Sequence, residues 1–595
     1  MGPPGGANHL KAFPGGELVT LPVEVAARVR RLVLENALQH EGTPRAGPIV
    51  ARLLATDATL RAQAAELQAL VDRAVREVQG LPEGDRVAEL QALGGPEPER
   101  VRPPKSETGD FPALPGAIDG KVVLRMAPFP SGALHIGHAR MIYVNEYYRE
   151  LYHGRLLLVF DDTVGSEEKR VEPEFFDLIL QDLERAGAKP DAIFYKSDRV
   201  PQFYPWARRL IDRRAAYVCT CNAELLRSNR AAGVACPERG QNLATTLDLW
   251  ERMLSGAFAP GSAVLRLKTD MADPDPAFRD RVLMRISDFD HPRVGRKYRV
   301  WPMLEFSWAV DDLELGVTHV LRGKDLMIEG RMQNYIWNVL ELHGPPFIHW
   351  GILRIREAKV SKSKSYLEVK SKLYDGWADP RTWSLRSLAR RGISSAAIRK
   401  FTLSFGMSLA DIEVPAETLY AENRALIDGV TPRRAFVADP VRIDVTEYPE
   451  GLAEVTLDNH PDRPELGTRS VPAGPSFYLA RADVAARLGT EVRLKDLINI
   501  QLPPELPPDR AVPMSAQFTS RENRRLPRFQ WVGTPDAVPV DLLGIEAQHT
   551  SGIAEASLAH ARPGDIYQFE RVGFVRVEED WSPGSAPVRV CFGHP

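Results

Sequence analysis

Four cysteines in 595 residues are too few for a disulfide framework, and no run approaches the roughly 18 apolar residues that span a bilayer. The opening MGPPGGANHLKAF has no apolar core of the kind a secretory signal needs, so a cytosolic protein without membrane association is expected. Excess charge is missing too: 76 Lys+Arg stand against 79 Asp+Glu, a net charge of −3. A nucleic-acid partner would therefore be held by local basic patches, not by bulk charge. No internal repeat of roughly 20 to 50 residues is visible, which excludes a solenoid or a propeller. What remains is an ordinary composition, 44% hydrophobic and 26% charged, that fits folded domains rather than disorder. The length calls for roughly three to five of them.

Periodicity divides the chain. Val25, Val29, Leu32 and Val33, then Leu60, Ala64, Leu67, Val71, Ala74 and Val78, recur at helical spacing, so residues 1–93 form a helical domain behind a Gly/Pro-rich lead. Residues 94–116 are rich in Pro, Gly and charge and read as a linker. From 117 to 218, apolar runs such as Val122-Val123-Leu124 and Leu156 to Phe160 alternate with amphipathic helices such as Glu174 to Ala186, the pattern of a parallel α/β sheet. Residues 219–300 break that rhythm and read as an inserted subdomain, and 301–374 resume it. Residues 375–432 are helical, and 433–595 are short β-rich runs separated by Pro, Gly and Asp, as in antiparallel barrels.

Chemistry concentrates in two places. Residues 125–140 read RMAPFPSGALHIGHAR, a strand, a Pro/Gly loop and a helix start carrying His135 and His138. Such a corner aims free backbone N–H groups and a positive dipole end at an anion, with two imidazoles on one face of the first turn. Gly137 lets a nucleotide approach the backbone closely. Far downstream, Val360-Ser361-Lys362-Ser363 offers a mobile ammonium suited to a developing pyrophosphate. Taken singly, one segment is an ordinary helix start and the other a solvated polar loop. Their order and separation give the pair its meaning.

The pair resembles the HIGH and KMSKS signatures of class I aminoacyl-tRNA synthetases. Phe160-Asp161-Asp162-Thr163, Tyr195 to Arg199, Lys297 to Pro302 and Gly316 to Gly323 resemble the glutamyl/glutaminyl branch. The helical N-terminal part and the β-rich C-terminal part match its archaeal glutamyl type. The resemblance implies a Rossmann-type catalytic domain with an inserted acceptor-stem subdomain, a helical stem-contact region and a C-terminal β-barrel anticodon-binding part. It implies an ATP- and Mg²⁺-dependent ligase that makes glutamyl-adenylate from L-glutamate and transfers the glutamyl group to tRNA(Glu), with tRNA(Gln) left open as a second acceptor and a monomer expected. His135, His138 and Lys362 would hold the phosphates, with Ser361 and Ser363 shaping the loop. Ala127, Pro128, Gly137, Ile352 and Leu353 would line the ATP site. Arg125 and Arg322 map onto the carboxylate-reading arginines and Asp161 onto the acid for the α-amino group.

Local basic clusters supply tRNA candidates: Arg293, Arg296, Lys297 and Arg299 for the acceptor end, Arg390 and Arg391 for the stem, and Arg524 and Arg525 for the anticodon, with Trp531 read either as a base-stacking platform or as a β-barrel core aromatic. Cys219, Cys221 and Cys236 resemble the zinc knuckle of some members. Glu238 stands where a histidine is expected, so bound zinc and three metal-free thiols both stay open. The chain departs from the family at Leu304 and Glu305, in a run that usually reads WPLYNFA, and at Val159 (usually Arg), Val164 (usually Asn or Asp) and Phe129. These changes spare the phosphate corner and fall on the amino-acid pocket. Alternatives are glutaminylation, against which Arg322 argues, and a non-catalytic tRNA-binding descendant, against which His135, His138 and Lys362 argue.

Overall fold

The structure is a computed structural model that describes residues 22–40, 42–56, 60, 63–93, 95, 109–163, 171–358, 362–509, 511–579, 582 and 584–595. The chain divides into two compact units, residues 1–105 and 106–595. In the first, helices α1 (Val23–Gln39), α2 (Ala46–Thr56), α3 (Ala64–Gln79) and α4 (Glu83–Ala92) enclose Val29, Val33, Leu53, Leu67, Val71, Val78 and Leu90. Arg30 of α1 reaches Glu77 of α3 at 2.7 Å and Glu89 of α4 at 2.8 Å. The expected periodicity is therefore the core stripe of α1 and α3, and α2 is an element it did not disclose.

The second unit opens earlier than expected. Residues 109–116, read as linker, pack on the catalytic part: Gly109 N–H donates to Leu403 O at 2.8 Å, and Phe111 lies 4.3 Å from the Tyr147 ring. Strands β1 (Val123–Met126), β2 (Arg155–Phe160) and β3 (Ala192–Tyr195) are parallel, with Leu124 opposite Leu156 and Phe160 opposite Tyr195. Leu156, Leu158 and Phe160 face one apolar layer, and Leu157 and Val159 face the other. Burial on both faces explains the unbroken apolar run. Helices α5 (Ala139–Leu151) and α6 (Glu174–Arg185) cover the first face.

The chain leaves this sheet through α7 (Val200–Asp212) for an antiparallel sheet of β4 (Ala216–Cys219), β5 (Val264–Leu267), β6 (Val282–Ile286) and β7 (Val300–Pro302), with α8 (Ala223–Ala232) and α9 (Leu243–Leu254). It returns through α10 (Leu304–Glu314) to β8 (Val320–Gly323), α11 (Met327–Val339) and β9 (Phe347–Trp350), with β8 and β9 parallel. Thr318 joins the two strand groups: its N–H donates to Val123 O and its Oγ1 accepts from Val123 N–H, each at 2.9 Å. The strands thus follow the order β3-β2-β1-β8-β9, which puts the strand C-termini, the usual place for ligand chemistry, on either side of β1. Short strand β10 (Leu353–Ile355) and helices α12 (Lys362–Lys370), α13 (Leu385–Arg390), α14 (Ser395–Leu403) and α15 (Glu417–Ile427) follow.

Residues 433–595 form two β structures, as the β-rich pattern predicts. One seven-stranded sheet uses residues 433–438 and 538–594 around Phe436, Val540, Phe569 and Val590; the other uses residues 440–533 around Ile443, Phe477, Ile500 and Trp531. The second is spliced into the first. Arg391 is also not a stem-contact residue. It is 1% exposed, donates to Tyr420 Oη and to Gly593 O at 2.7 Å each, and lies between the Trp383 and Tyr420 rings. Its charge ties the helical region to the C-terminal strand. Substituting Arg391→Ala should destabilise the protein by about 2–3 kcal/mol, because a charged donor and its two acceptors lose their bonds together. A thermal scan against the parent chain checks this.

Candidate active site

At the mouth of β1 a short 3₁₀ turn, Ile136–His138, precedes α5. His135 caps it. Its Nδ1 accepts from Gly137 N–H and the Nδ1 of His138 accepts from His135 N–H, both at 3.1 Å, with the rings 4.0 Å apart. A ring nitrogen that accepts carries no proton, so both imidazoles hold theirs on Nε2. Ile136 N–H donates to Trp383 O at 3.0 Å and Leu385 N–H to Leu134 O at 2.8 Å, so the segment before α13 fixes the turn. Gly137 has a second reason beyond close nucleotide approach: a Cβ there would lie 2.8 Å from His135 Cε1.

Beside the turn lies a cleft of about 790 Å³ lined by Ile136, Gly137, Arg140, Trp350, Ile352, Leu353 and Lys364. This brings together three of the five expected ATP-site residues. Ala127 and Pro128 lie next to it in sequence on the β1 exit, where Pro128 O accepts from Asp161 N–H at 3.2 Å. Ser361 lies outside the described residues. Lys362 and Ser363 open α12, and Lys364 from that helix lines the same cleft as Gly137. The distant lysine-rich loop and the histidine turn therefore border one cavity. Arg140 was not anticipated. Its Nη2 donates to Gly406 O, its Nε and Nη1 have no partner among the described residues, and burial brings its pKa down to about 10.

At the C-terminal ends of β1, β2 and β8 lies a buried cluster of charged groups. Arg125 grips Asp312 of α10 with a two-bond fork, Nε to Oδ1 at 2.5 Å and Nη2 to Oδ2 at 3.0 Å. Asp312 Oδ2 also accepts from Gln333 Nε2 at 2.9 Å, and Gln333 Oε1 accepts from Arg322 Nη1 at 2.9 Å. Arg322 is 4% exposed and its Nε and Nη2 have no partner among the described residues; burial, then the charge of Arg125, lowers its pKa to about 9. Asp161 is 3.0 Å from Nζ of Lys196, a fully buried ammonium that also donates to Ser307 Oγ at 2.6 Å. Burial lowers the pKa of Lys196 against the pull of Asp161. Next to it, burial raises Asp162 to about 6 although its carboxylate accepts from Ser197.

The three expected carboxylate and amine readers, Arg125, Asp161 and Arg322, thus converge, and Asp312, Gln333, Lys196 and Trp308 join them unannounced. The tandem Asp311-Asp312, in register with Leu304 and Trp308 on one helix, was the available signal. Glu305 does not add free negative charge to the pocket: Arg281 pairs with it and also reaches Glu329 at 3.1 Å. Val159 is buried among Leu157, Val317 and Val320. Val164 lies outside the described residues.

The expected metal residues also meet. Cys219, Cys221, Cys236 and Glu238 each present a ligand atom within 4.8 Å of the others, and the Cys219 and Cys236 sulfurs are 3.7 Å apart. A tetrahedral ion with bonds of ~2.3 Å needs S···S edges of about 3.8 Å, so the donor set fits zinc. Arg266 Nη1 is 2.8 Å from Cys236 Sγ; burial works against the thiolate, but this cation holds the Cys236 pKa below the usual value.

Of the tRNA candidates, Arg293, Arg296, Lys297, Arg524 and Arg525 are exposed, and Arg524 pairs with Glu491. Arg293 stacks 3.5 Å over Tyr195 and bonds Asp198, Arg299 bonds Asp288, and Arg390 bonds Glu578. Trp531 is a core residue, not a base-stacking platform: it is 3% exposed, packs edge-on to Phe477 and donates Nε1–H to Lys495 O at 2.8 Å.

A parallel sheet with a histidine turn at the end of its first strand, and a lysine-rich helix start bordering the same cleft, has the design of a class I aminoacyl-tRNA synthetase catalytic domain. Comparison with known proteins agrees. Residues 121–428 match the family model of the catalytic domain of class I tRNA synthetases for E and Q, and 431–505 and 528–578 match two models of its anticodon-binding domain. The chain is 37% identical to a glutamate–tRNA ligase of Pyrococcus abyssi over 94% of this chain and 98% of that one. It is also 37% identical to one of Methanopyrus kandleri over 96% and 99%. The chain belongs to the glutamyl/glutaminyl family of class I tRNA synthetases.

The Gly137 geometry carries a prediction. In Gly137→Ala the new methyl must displace the His135 ring, and pyrophosphate exchange at saturating ATP should fall roughly 100-fold, the usual effect of misplacing a reacting group by about 1 Å. Exchange kinetics against ATP concentration measure it.

Proposed function

We infer that the chain is a glutamate–tRNA ligase, a cytosolic monomer that uses ATP and Mg²⁺ to charge tRNA(Glu). The observation that carries this reading is a buried guanidinium with unpartnered donors, Arg322, and a buried acid, Asp161, at the ends of the strands flanking β1, together with the cleft lined by Gly137 and Lys364. One α-carboxylate oxygen of glutamate attacks the α-phosphorus of ATP, and pyrophosphate leaves. A hydroxyl of the tRNA's terminal adenosine then attacks the acyl carbon, and AMP leaves. Neither step forms a bond to the protein, so positioning and charge stabilisation do the catalysis. The Nε2–H groups of His135 and His138 donate to phosphate oxygens, and Lys362 closes on the departing pyrophosphate with Ser361 and Ser363 shaping its loop. Mg²⁺ is carried mainly by the phosphates, as that ion prefers.

Ala127, Pro128, Gly137, Ile352 and Leu353 bound the nucleotide. Arg125 and Arg322 set the field for the substrate carboxylates while Asp161 receives the ammonium. Arg322 favours glutamate over glutamine, because an amide gives no charge to repay its burial. Exposed Arg296 and Lys297 suit the acceptor end, and exposed Arg525 suits the anticodon loop; Arg293, Arg299, Arg390 and Arg524 meet tRNA by exchanging their acidic partners Asp198, Asp288, Glu578 and Glu491.

L-Glutamate should drive ATP–pyrophosphate exchange in the presence of tRNA, and labelled glutamate, not glutamine, should be esterified to tRNA(Glu). A preparation in which neither amino acid supports exchange or charging would falsify the reading. Zinc is the second element of the proposal. Cys219, Cys221, Cys236 and Glu238 hold one ion, so metal analysis should return about one zinc per chain, lost in Cys236→Ser.

A further inference from the structure

Leu304 lacks the hydroxyl that the resemblance places in the amino-acid pocket, yet the pocket keeps its cations. The compensation lies one turn along the same helix. Leu304, Trp308 and Asp312 are spaced by four and form one stripe of α10. A long helical side chain leans towards the helix N-terminus, so the Trp308 indole covers the turn that begins at Leu304. It is 4% exposed. Three cations surround its ring: Arg125 at 4.8 Å, Lys196 at 5.1 Å and Arg322 at 5.3 Å from the centroid. Its Nε1–H is buried without an acceptor among the described residues, and so are Nε and Nη2 of Arg322.

We propose that Trp308 is the specificity-determining residue of the amino-acid pocket, its Nε1–H joining Arg322 in donating to the substrate's side-chain carboxylate in place of the missing tyrosine hydroxyl. This rests on the glutamate reading and deepens it. These donors are buried, and no acceptor among the described residues meets them. The orphaned donors here are Trp308 Nε1–H and Nε and Nη2 of Arg322, while the orphaned oxygens belong to Asp161, Asp311 and Glu329. A carboxylate offers these three donors two charged oxygens, whereas a glutamine amide offers one neutral oxygen. The indole face does separate work: its negative quadrupole lets three positive groups share a space a few ångströms across.

Trp308→Phe keeps the ring face and removes only the N–H. The KM for glutamate in pyrophosphate exchange should rise about 10- to 100-fold, the effect of losing a bond to a charged group, while the KM for ATP and the thermal midpoint stay near those of the parent. Adding Leu304→Tyr to that variant returns a hydroxyl to the same face and should recover most of the loss. An unchanged KM for glutamate in Trp308→Phe overturns the proposal. So does a parallel rise in the KM for ATP with a lowered thermal midpoint and no recovery in the double variant, since that marks a packing role alone. These outcomes are read on parent enzyme that activates glutamate; a parent that activates no glutamate overturns the functional reading and the role of Trp308 with it.

Discussion

The fork between Arg125 and Asp312 is the constraint around which the catalytic part is arranged. Arg125 ends β1 and Asp312 belongs to the helix that returns the chain from the inserted subdomain, so one ion pair fixes that excursion against the central strand. Through Gln333 the same carboxylate reaches Arg322, and the network spans β1, α10, α11 and β8. A buried ion pair is a poor source of net stability, because taking both charges from water costs about as much as their attraction returns. What it supplies is position. Breaking it leaves an unpaired charge in a dry site, so alternative packings of α10 against β1 are disfavoured and the pocket holds its shape before substrate arrives.

Charge balance explains why such a pocket can exist within a folded protein. Arg125, Lys196 and Arg322 face Asp161, Asp311 and Asp312, and Arg199 closes on Asp311 at 2.7 Å. The depressed pKa values of Lys196 and Arg322 show burial outweighing these partners. Each unpartnered buried donor costs about 1–3 kcal/mol in the ligand-free protein. A carboxylate accepting from these donors would relieve that cost.

Much of this was legible in the sequence, and the failures have a common cause. Strands β1 and β2, helix α6 and the histidine turn announced themselves because their signals are local: an apolar run, a 3.6-residue stripe, a Pro/Gly loop before a helix. Arg125, Asp161 and Arg322 could be placed by resemblance. Arg391 was misplaced and Trp531 was left between core and base-stacking roles, because an arginine in a basic cluster and an aromatic beside arginines look the same in sequence whether buried or exposed; only contacts with Gly593 and Lys495, distant in sequence, decide. The splicing of one β structure into another hid for the same reason, since strands near residue 436 pair with strands beyond residue 537. Glu238 was weighed as a defective ligand, whereas folding brings it level with the three sulfurs.

The two halves of the site are built from different materials, and this explains where the chain departs from its family. The nucleotide half rests on backbone: a capped turn, N–H groups at a helix start, and a glycine that a neighbouring ring leaves no room to replace. Backbone geometry has few alternatives, so substitution there removes function outright. The amino-acid half rests on side chains projecting from one stripe of α10 and the ends of β1, β3 and β8. Side chains can trade roles if the sum of charge, volume and donors is kept. A hydroxyl lost at residue 304 can be answered by an indole at 308, one turn along α10. Leu304 and Glu305 therefore depart where chemistry permits compensation, while His135, Gly137 and His138 keep the pattern.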